Sequence, residues 1–277
     1  MTEDMRPRRI AFLLLPDFTH LAFSCAVEPL RIANFIAGRE VYSWRLLAED
    51  GTSATCSNGA VTLVDGDLGS LGRDEEAFVV SGLRVPDHVT PGLLHPLRRA
   101  KAHGTRIGAI CSGAYVLARA GFLNGRKATI HWAWHGLMRE KFPDVDLQSS
   151  VFVSDPLHPT ASGGTAAADM MLHRIAQDHG RDVAMEVSNQ MLYSAIRDSG
   201  ASQRISLQAR HGFRSTHLVR AIALIEDSVE TPLSPPEIAE ELGISVRQLE
   251  RLFGKYLNTS PKRYITETRL QRCSPRC

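Results

Sequence analysis

The stretch Arg106-Ile107-Gly108-Ala109-Ile110-Cys111-Ser112-Gly113-Ala114 decides the fold of the first two-thirds of the chain. Arg106–Ile110 is an apolar run of strand length, and residues 112–120 follow it with the composition of a helix. A strand that passes through a single residue into a helix is typical of α/β proteins. Cys111 stands at that turn, so we expect its thiol to be exposed at one end of a parallel sheet.

Strands and helices alternate on both sides of this stretch. Further strands are predicted at residues 9–15, 42–48, 61–64 and 77–80. Apolar residues with helical spacing predict helices at 21–36, 93–102, 163–179 and 182–196. Such alternation indicates a largely parallel sheet with helices on both faces. We therefore place an α/β domain at 9–198, a linker rich in Gly, Ser and Arg at 199–214, and an all-helical domain at 215–277.

The composition excludes several classes of protein. The chain has 277 residues, 43% hydrophobic and 22% charged, which suits a globular protein of two domains. Its five cysteines are scattered, which argues against a disulfide framework or a zinc site, and we expect neither a metal nor a cofactor. The apolar run 10–15 is too short to span a membrane, so we expect a cytoplasmic protein.

Charge is distributed unevenly along the chain. The formal net charge is +2, yet the residues from Ile244 to the end include eight Lys and Arg against two Asp and Glu. This last segment therefore carries +6, and the first 243 residues carry −4. A basic region on an acidic body favours an anionic partner such as nucleic acid, although a solvated basic terminus gives the same pattern.

Two capping boxes in the C-terminal region predict a pair of short helices. Ser234 with Glu237 begins the first helix, and Ser245 with Gln248 begins the second. Gly243 lies between them, where a left-handed residue ends a helix. Two short helices joined by a glycine turn match a helix-turn-helix, whose second helix enters the major groove of DNA.

The second helix is predicted to have an apolar and a basic side. The apolar residues are Leu249, Leu252, Phe253 and Tyr256, and the basic residues are Arg247, Arg251 and Lys255. Arg247, Gln248 and Arg251 suit contacts with base edges. The predicted DNA-binding set is completed by Ser245, Lys255, Lys262 and Arg263, with the cations suited to phosphate contacts. A helical hairpin with a solvated charged face is the alternative.

The run 232–269 resembles the AraC family of regulators. The resemblance is clearest in Leu242-Gly243-Ile244-Ser245, in Arg247-Gln248-Leu249-Glu250-Arg251-Leu252-Phe253 and in Ser260-Pro261. It implies sequence-specific binding to double-stranded DNA. Domains of this family contain two helix-turn-helix units, whereas this chain stops at Cys277, so we expect the first unit only and a truncated domain.

The Cys111 stretch has both a purely structural and a functional interpretation. A lone cysteine at a turn is often a small buried residue, but one before a helix is also placed as a nucleophile, because the helix N-terminus favours a thiolate. The segments Ile107-Gly108-Ala109-Ile110-Cys111-Ser112-Gly113 and Ala128-Thr129-Ile130-His131-Trp132 resemble the ThiJ/PfpI branch of the class I glutamine amidotransferase-like superfamily. The resemblance implies a flavodoxin-like fold and a ligand pocket formed by Glu28, Gly82, Cys111, Ser112, His131 and Trp132.

Within this pocket, Glu28 stands where the superfamily places an acid beside the cysteine. Trp132, Trp134 and Tyr115 would suit an aromatic cage for a quaternary ammonium, although core packing explains them equally well. Peptidase members of the superfamily have His directly after the cysteine, whereas this chain has Ser112. We therefore expect a pocket that binds a ligand and does not catalyse a reaction.

Together the two halves resemble the GlxA-type regulators, which join a ThiJ/PfpI-like domain to an AraC-type domain. The resemblance implies a flavodoxin-like α/β domain with a parallel sheet, a small all-α helix-turn-helix domain, a homodimer, and an arginine-, carnitine- or betaine-like effector. Two alternatives remain open. One is a cysteine-dependent hydrolase or glyoxalase-like enzyme with a defective DNA module, and the other is a truncated, dimerising protein with little DNA binding.

Overall fold

The computed structural model describes residues 6–72, 74–194, 196–203, 216–228, 231–257 and 259–273. The chain divides into two compact units, Met1–Gln203 and Arg204–Cys277. Across the described residues, no helix is long and apolar enough to cross a lipid bilayer.

A six-stranded sheet forms the centre of the first unit. The strands of this unit are β1 (Arg8–Leu14), β2 (Tyr42–Leu47), β3 (Ser53–Thr55), β4 (Val61–Leu63), β5 (Glu75–Val80), β6 (Arg106–Ile110), β7 (Lys127–Thr129), β8 (Asp146–Gln148), β9 (Phe152–Val153) and β10 (Thr160–Ala161). The main sheet has the order β2-β1-β5-β6-β10-β9 and is parallel except for β9, which is antiparallel to β10. The pairs β3–β4 and β7–β8 form separate two-stranded sheets.

Helices cover both faces of this sheet. They are α1 (His20–Ala37), α2 (Pro91–Ala102), α3 (Gly113–Arg119), α4 (His135–Lys141), α5 (Ala166–His179) and α6 (Arg181–Gln190). Side chains alternate along β1, so that Phe12 and Leu14 belong to a buried cluster with α1, α5 and α6, whereas Ala11 and Leu13 belong to a second cluster with α2 and α3. Because the strand is buried on both faces, its sequence is apolar throughout. The predicted flavodoxin-like α/β fold is confirmed.

Most predicted elements lie within three residues of the observed ends, but two predictions need correction. The predicted strand 61–64 forms β4, which pairs with β3 and stands outside the main sheet. The predicted helix 182–196 ends at Gln190. Leu192 has a φ of 54°, a left-handed conformation that a helix cannot continue through. The chain then turns back, and Arg197 pairs with the buried Asp169 of α5 at 2.6 Å.

The first residues of the predicted linker are hydrogen-bonded into the first unit. Val151 N donates to Ala201 O at 2.8 Å, and Gln203 N donates to Ser149 O at 3.2 Å. These hydrogen bonds hold residues 201–203 against the loop that follows β8. The remainder of the predicted linker lies outside the described residues.

The described residues of the second unit form four helices around a small core. They are α7 (Thr216–Asp227), α8 (Pro235–Glu241), α9 (Val246–Leu257) and α10 (Pro261–Cys273). The buried cluster consists of Leu218, Ala221, Ile222, Ile225, Ile238, Ala239, Leu242, Leu249 and Phe253. The helical spacing predicted from Leu218 is thus confirmed as far as Ile225, and Val229, its predicted continuation, lies outside the described residues.

Both predicted capping boxes are present in the second unit. Ser234 N donates to Glu237 Oε2 at 2.7 Å. Ser245 N donates to Gln248 Oε1 at 3.2 Å, and Gln248 N donates to Ser245 Oγ at 3.2 Å. Gly243 ends α8 with a φ of 64°. The predicted helix-turn-helix, α8 and α9, therefore begins and ends where local sequence specifies.

Glu75, at the start of β5, is buried between two arginines. Its carboxylate lies 2.7 Å from Arg45 Nη2 and 3.1 Å from Arg9 Nη2. Burial raises the pKa of Glu75, but hydrogen bonds from Arg45 and from the Gly72 amide lower it by more, so the net pKa lies below the usual value for glutamate. A depressed pKa in the folded state stabilises the fold above the unfolded pKa, and that stabilisation is lost as the pH falls.

We predict that Glu75→Gln flattens the acid limb of the stability curve. The wild-type melting temperature should fall as the pH is lowered through about 4. The variant should be less stable at pH 7 and should depend less on pH, because its amide cannot pair ionically with Arg45 and Arg9. Circular dichroism melts at a series of pH values measure this. Glu140→Gln, which alters an exposed carboxylate beside Lys141, is the control. Parallel curves for Glu75→Gln and wild type would contradict the prediction.

Candidate functional site

Cys111 lies at the turn between β6 and α3 in a left-handed conformation, with a φ of 62°. This region is uncommon for a residue other than glycine. The residue is only 6% exposed, so the prediction of an exposed thiol is wrong. Two close backbone approaches occur at this turn, and the first of them covers Cys111. A Cβ at Gly163 would lie 2.6 Å from Cys111 Cβ, and a Cβ at Gly113 would lie 2.2 Å from Val79 O, so only glycine fits at these positions.

Four of the six predicted pocket residues meet at this turn. Ser112 Oγ donates to Gly82 O at 2.6 Å, and His131 N donates to Cys111 O at 3.4 Å. Gly82 follows β5 and Cys111 follows β6, and these strands are parallel neighbours. Their carboxyl ends therefore lie at one edge of the sheet, which is where open α/β sheets bind their ligands.

Thr19 is a further residue of this site that the sequence analysis missed. Its Oγ1 lies 3.6 Å from Cys111 Sγ. Thr19 directly precedes α1 and follows β1, the neighbour of β5 in the sheet. Its position after a parallel strand was the available signal, since the carboxyl ends of adjacent parallel strands share one edge.

Burial determines the protonation of the Cys111 thiol. It raises the pKa of the thiol above the usual value for cysteine, while hydrogen bonds from the Thr19 hydroxyl and the Ser112 amide lower it only in part. The burial of Cys111 thus opposes the thiolate that the following helix was expected to favour. A charge on the buried sulfur would lose contact with water, which disfavours the thiolate.

The structure does not bring Glu28 to the thiol. Glu28 lies nine residues beyond Thr19 on α1, about 13 Å along the helix axis. Its carboxylate pairs with Arg31 at 2.7 Å, and its side chain is 47% exposed. Among the described residues, no carboxylate is a cause of the shift in the pKa of Cys111. The prediction that Glu28 lies beside the cysteine is wrong, because the Thr19 hydroxyl lies there instead. Among the described residues, no group of three or more His, Cys, Asp or Glu is arranged to hold a metal ion.

His131 reaches Cys111 through its main chain. Its Nδ1 accepts a hydrogen bond from Ala133 N at 3.3 Å, and burial lowers the pKa of the ring. The imidazole is therefore neutral at pH 7. It lies beside the Trp132 indole, with ring centroids 5.3 Å apart.

The three aromatic residues suggested for a cage have different surroundings. Trp132 is 44% exposed. Tyr115 packs edge-on against Phe142 with centroids 5.2 Å apart, and Trp134 packs against the second core cluster. Core packing accounts for Tyr115 and Trp134. Trp132 is exposed beside the His131 ring, and its place in a ligand pocket stays a prediction.

The helix α9 separates its apolar and basic residues onto opposite sides. Leu249 and Phe253 are buried, and Arg247, Arg251 and Lys255 are exposed. The three basic residues are four positions apart, so they form one stripe about 12 Å long. We call these three residues the basic stripe.

Three other predicted DNA contacts are also placed by the structure. Gln248 Oε1 is engaged in the capping box with Ser245, so the carbonyl half of its amide already has a partner. Lys262 and Arg263 are exposed in the first turn of α10. Arg263 Nε donates to Glu267 Oε1 at 2.8 Å, which offsets part of its charge.

Both units match known families. The DJ-1/PfpI family matches residues 8–177. Bacterial regulatory helix-turn-helix proteins of the AraC family match residues 237–266. The first match includes the main sheet and the Cys111 turn, and the second includes α9 with its basic stripe.

Two relatives align along nearly the whole chain, and one solved structure aligns with about two-thirds of it. The HTH-type transcriptional regulator GbdR of Pseudomonas aeruginosa is 38% identical over 270 residues, which cover 98% of this chain and 74% of that protein. The HTH-type transcriptional regulator GlxA of Rhizobium meliloti is 37% identical over 272 residues, covering 98% and 84%. A crystal structure of an AraC family transcriptional regulator from Pseudomonas putida matches with a TM-score of 0.61 and 25% identity, over 67% of this chain and all of that one. This chain therefore belongs to the DJ-1/PfpI family, within the GlxA-type regulators that carry an AraC-family helix-turn-helix.

Proposed function

We propose that this chain is a transcriptional regulator that binds specific DNA sequences through its second unit and a small amine or amino-acid-like effector at the Cys111 turn. The observation that carries the proposal is the basic stripe on α9, the second helix of the helix-turn-helix. The names of the relatives, which are HTH-type transcriptional regulators, support it.

Sequence recognition is assigned to Arg247 and Arg251. A helix fits the major groove of B-DNA, where an arginine side chain can donate two hydrogen bonds to O6 and N7 of guanine. Each such contact gives about 1–3 kcal/mol of discrimination against other bases. The Oε1 of Gln248 is held in the capping box, so we assign to Gln248 only the donors of its amide nitrogen.

Affinity is assigned to contacts with phosphates. Lys255 and Lys262 are exposed cations, and such contacts fix register without conveying sequence. Arg263 shares its charge with Glu267, so we expect a smaller contribution from it. Ser245 completes the set from the amino end of α9. One helix-turn-helix offers few base contacts, so we propose that a homodimer presents two of them to successive half-sites.

The Cys111 turn suits ligand binding better than catalysis. A thiol whose pKa is raised is protonated at pH 7 and is a poor nucleophile. The side-chain group at its Sγ is the Thr19 hydroxyl, which is not a general base at this pH. We therefore assign Gly82, Cys111, Ser112 and His131 to the wall of an effector pocket.

The effector class follows from the exposed indole of Trp132 beside this wall. A positively charged amine is attracted to the face of an indole ring. The neutral ring of His131 next to it adds no competing charge. Arginine, carnitine and glycine betaine each combine a cationic group with a carboxylate, and the GlxA-type resemblance favours effectors of this kind.

One observation favours the alternative of a cysteine-dependent enzyme. The left-handed φ of Cys111 stores strain of the kind found at catalytic turns. This chemistry needs a thiolate, which the burial of Cys111 disfavours. The reactivity of the thiol therefore distinguishes the two functions.

We predict that Arg251→Ala and Lys262→Ala weaken DNA binding in different ways. The probe is a duplex selected by the wild-type protein from a random library, compared with a scrambled duplex. Arg251→Ala should reduce the preference for the selected duplex, because a base contact is lost, whereas Lys262→Ala should weaken binding to both duplexes alike and lower the salt dependence. Fluorescence anisotropy at several salt concentrations measures both effects. Arg119→Ala, in the first unit, is the control. Equal loss of preference in both variants would refute the division of roles.

We predict that an effector raises the melting temperature of the wild-type protein and that Trp132→Ala reduces this rise. A ligand at about 100 times its Kd contributes about 2.7 kcal/mol of stability, which corresponds to a shift of several degrees. Arginine, carnitine, glycine betaine and choline are screened by thermal shift. Phe35→Ala removes an aromatic ring that is 71% exposed on α1 and should leave the shift unchanged. A melting-temperature shift in Trp132→Ala as large as that of wild type would show that the Trp132 indole does not contribute to effector binding.

We predict that Cys111 reacts slowly with iodoacetamide at pH 7. Its raised pKa leaves less thiolate than the few per cent of an ordinary cysteine, so the rate should rise only at a higher pH than it does for an ordinary cysteine. Peptide mass spectrometry follows Cys111, with free glutathione alkylated under the same conditions as the reference. Rapid alkylation of Cys111 at pH 6 would indicate a stabilised thiolate and support the enzyme alternative.

A further inference from the structure

Gln203 is bound to a single region of the first unit through its side chain. Its Nε2, which has two N–H groups to donate, lies within hydrogen-bond distance of three acceptors: Thr129 Oγ1 and Ile130 O, both at 2.9 Å, and Ser150 O at 3.1 Å. The same nitrogen lies 3.4 Å from His135 Nε2. One amide group is thus surrounded by the end of β7 and the loop that follows β8.

The partners of Gln203 include a residue next to the proposed effector pocket. Ile130 O, which also contacts His135 Nε2 at 3.1 Å, belongs to the residue before His131. His131 N in turn donates to Cys111 O, and the His131 ring lies beside Trp132. The Gln203 amide therefore holds the segment that supplies one wall of the pocket.

Gln203 lies at the point where the chain leaves the first unit. Gln203 is the final residue of the first unit, and Arg204 begins the second. Its main chain is held as well, because Gln203 N donates to Ser149 O and Val151 N donates to Ala201 O. Its main-chain nitrogen and its side-chain nitrogen are thus both held where the chain leaves the α/β fold.

We infer that Gln203 is a positioning residue. Its hydrogen bonds link the segment where the chain leaves the first unit to the His131–Trp132 wall of the pocket. This inference rests on the proposed function and specifies how the same site would be regulated. An effector that shifts residues 130–132 changes the acceptors offered to the Gln203 amide, so its binding favours one arrangement of the exit segment over another. The DNA-binding unit follows that segment in the chain.

A first experiment tests the positioning role without any ligand. Hydrogen exchange is measured by mass spectrometry on the full chain for wild type, Gln203→Ala and Gln177→Ala. Gln177 is the matched control, since its amide contacts only His173 among the described side chains, on the exposed side of α5. Gln203→Ala should speed exchange in peptides covering 129–132 by about tenfold, the effect of losing one hydrogen bond, and leave β1 and β5 protected. No change at 129–132, or faster exchange throughout the unit, would overturn the inference.

A second experiment tests the link to the effector. L-arginine, carnitine and glycine betaine are the probes, and calorimetry establishes which of them binds. In the wild type, a bound probe should slow exchange at both 129–132 and 201–203. In Gln203→Ala, protection should remain at 129–132 and be lost at 201–203. An identical response in variant and wild type would refute the coupling, whereas failure of all three probes to bind would count against the proposed effector class and leave the ligand-free result to decide the positioning role.

Discussion

The buried hydrogen bond from Ser112 Oγ to Gly82 O joins the ends of the two central strands, β5 and β6. It forms only because the chain makes a left-handed turn at Cys111 and starts α3 at once. That turn requires two other backbones to approach closely, and the glycines at 113 and 163 permit the approach. The edge of the sheet is therefore built from main-chain contacts, and the side chains of the candidate pocket are arranged around them.

This construction also sets the environment of the thiol at an enzyme-like turn. The strained backbone of Cys111 is retained, but the closed packing that holds it also removes water from the thiol and raises its pKa. The Thr19 hydroxyl lies 3.6 Å from the sulfur. Rigid walls of this kind suit the recognition of a small molecule, since little ordering of the pocket is needed when it binds.

The second unit depends on a different constraint, the capping of short helices. The residue pairs 234 with 237 and 245 with 248 satisfy amides that would otherwise be unpaired at the starts of α8 and α9. With Leu249 and Phe253 buried beneath it, α9 presents its basic stripe in a fixed orientation. A recognition helix held in this way is ordered before it meets DNA, which reduces the entropic cost of binding.

The sequence by itself determined the elements and their order, because strand patterning, helical spacing and capping boxes act over a few neighbouring residues. It also located the Cys111 turn and the basic stripe for this reason. Only the tertiary structure decided what surrounds the thiol. Glu28 was expected there, but the course of α1 carries it away and leaves Thr19 in its place, a matter of helix geometry that spacing alone does not specify. The role of Gln203 was likewise hidden in a segment that resembles a linker, because its partners come from distant parts of the chain and meet it only in the folded protein.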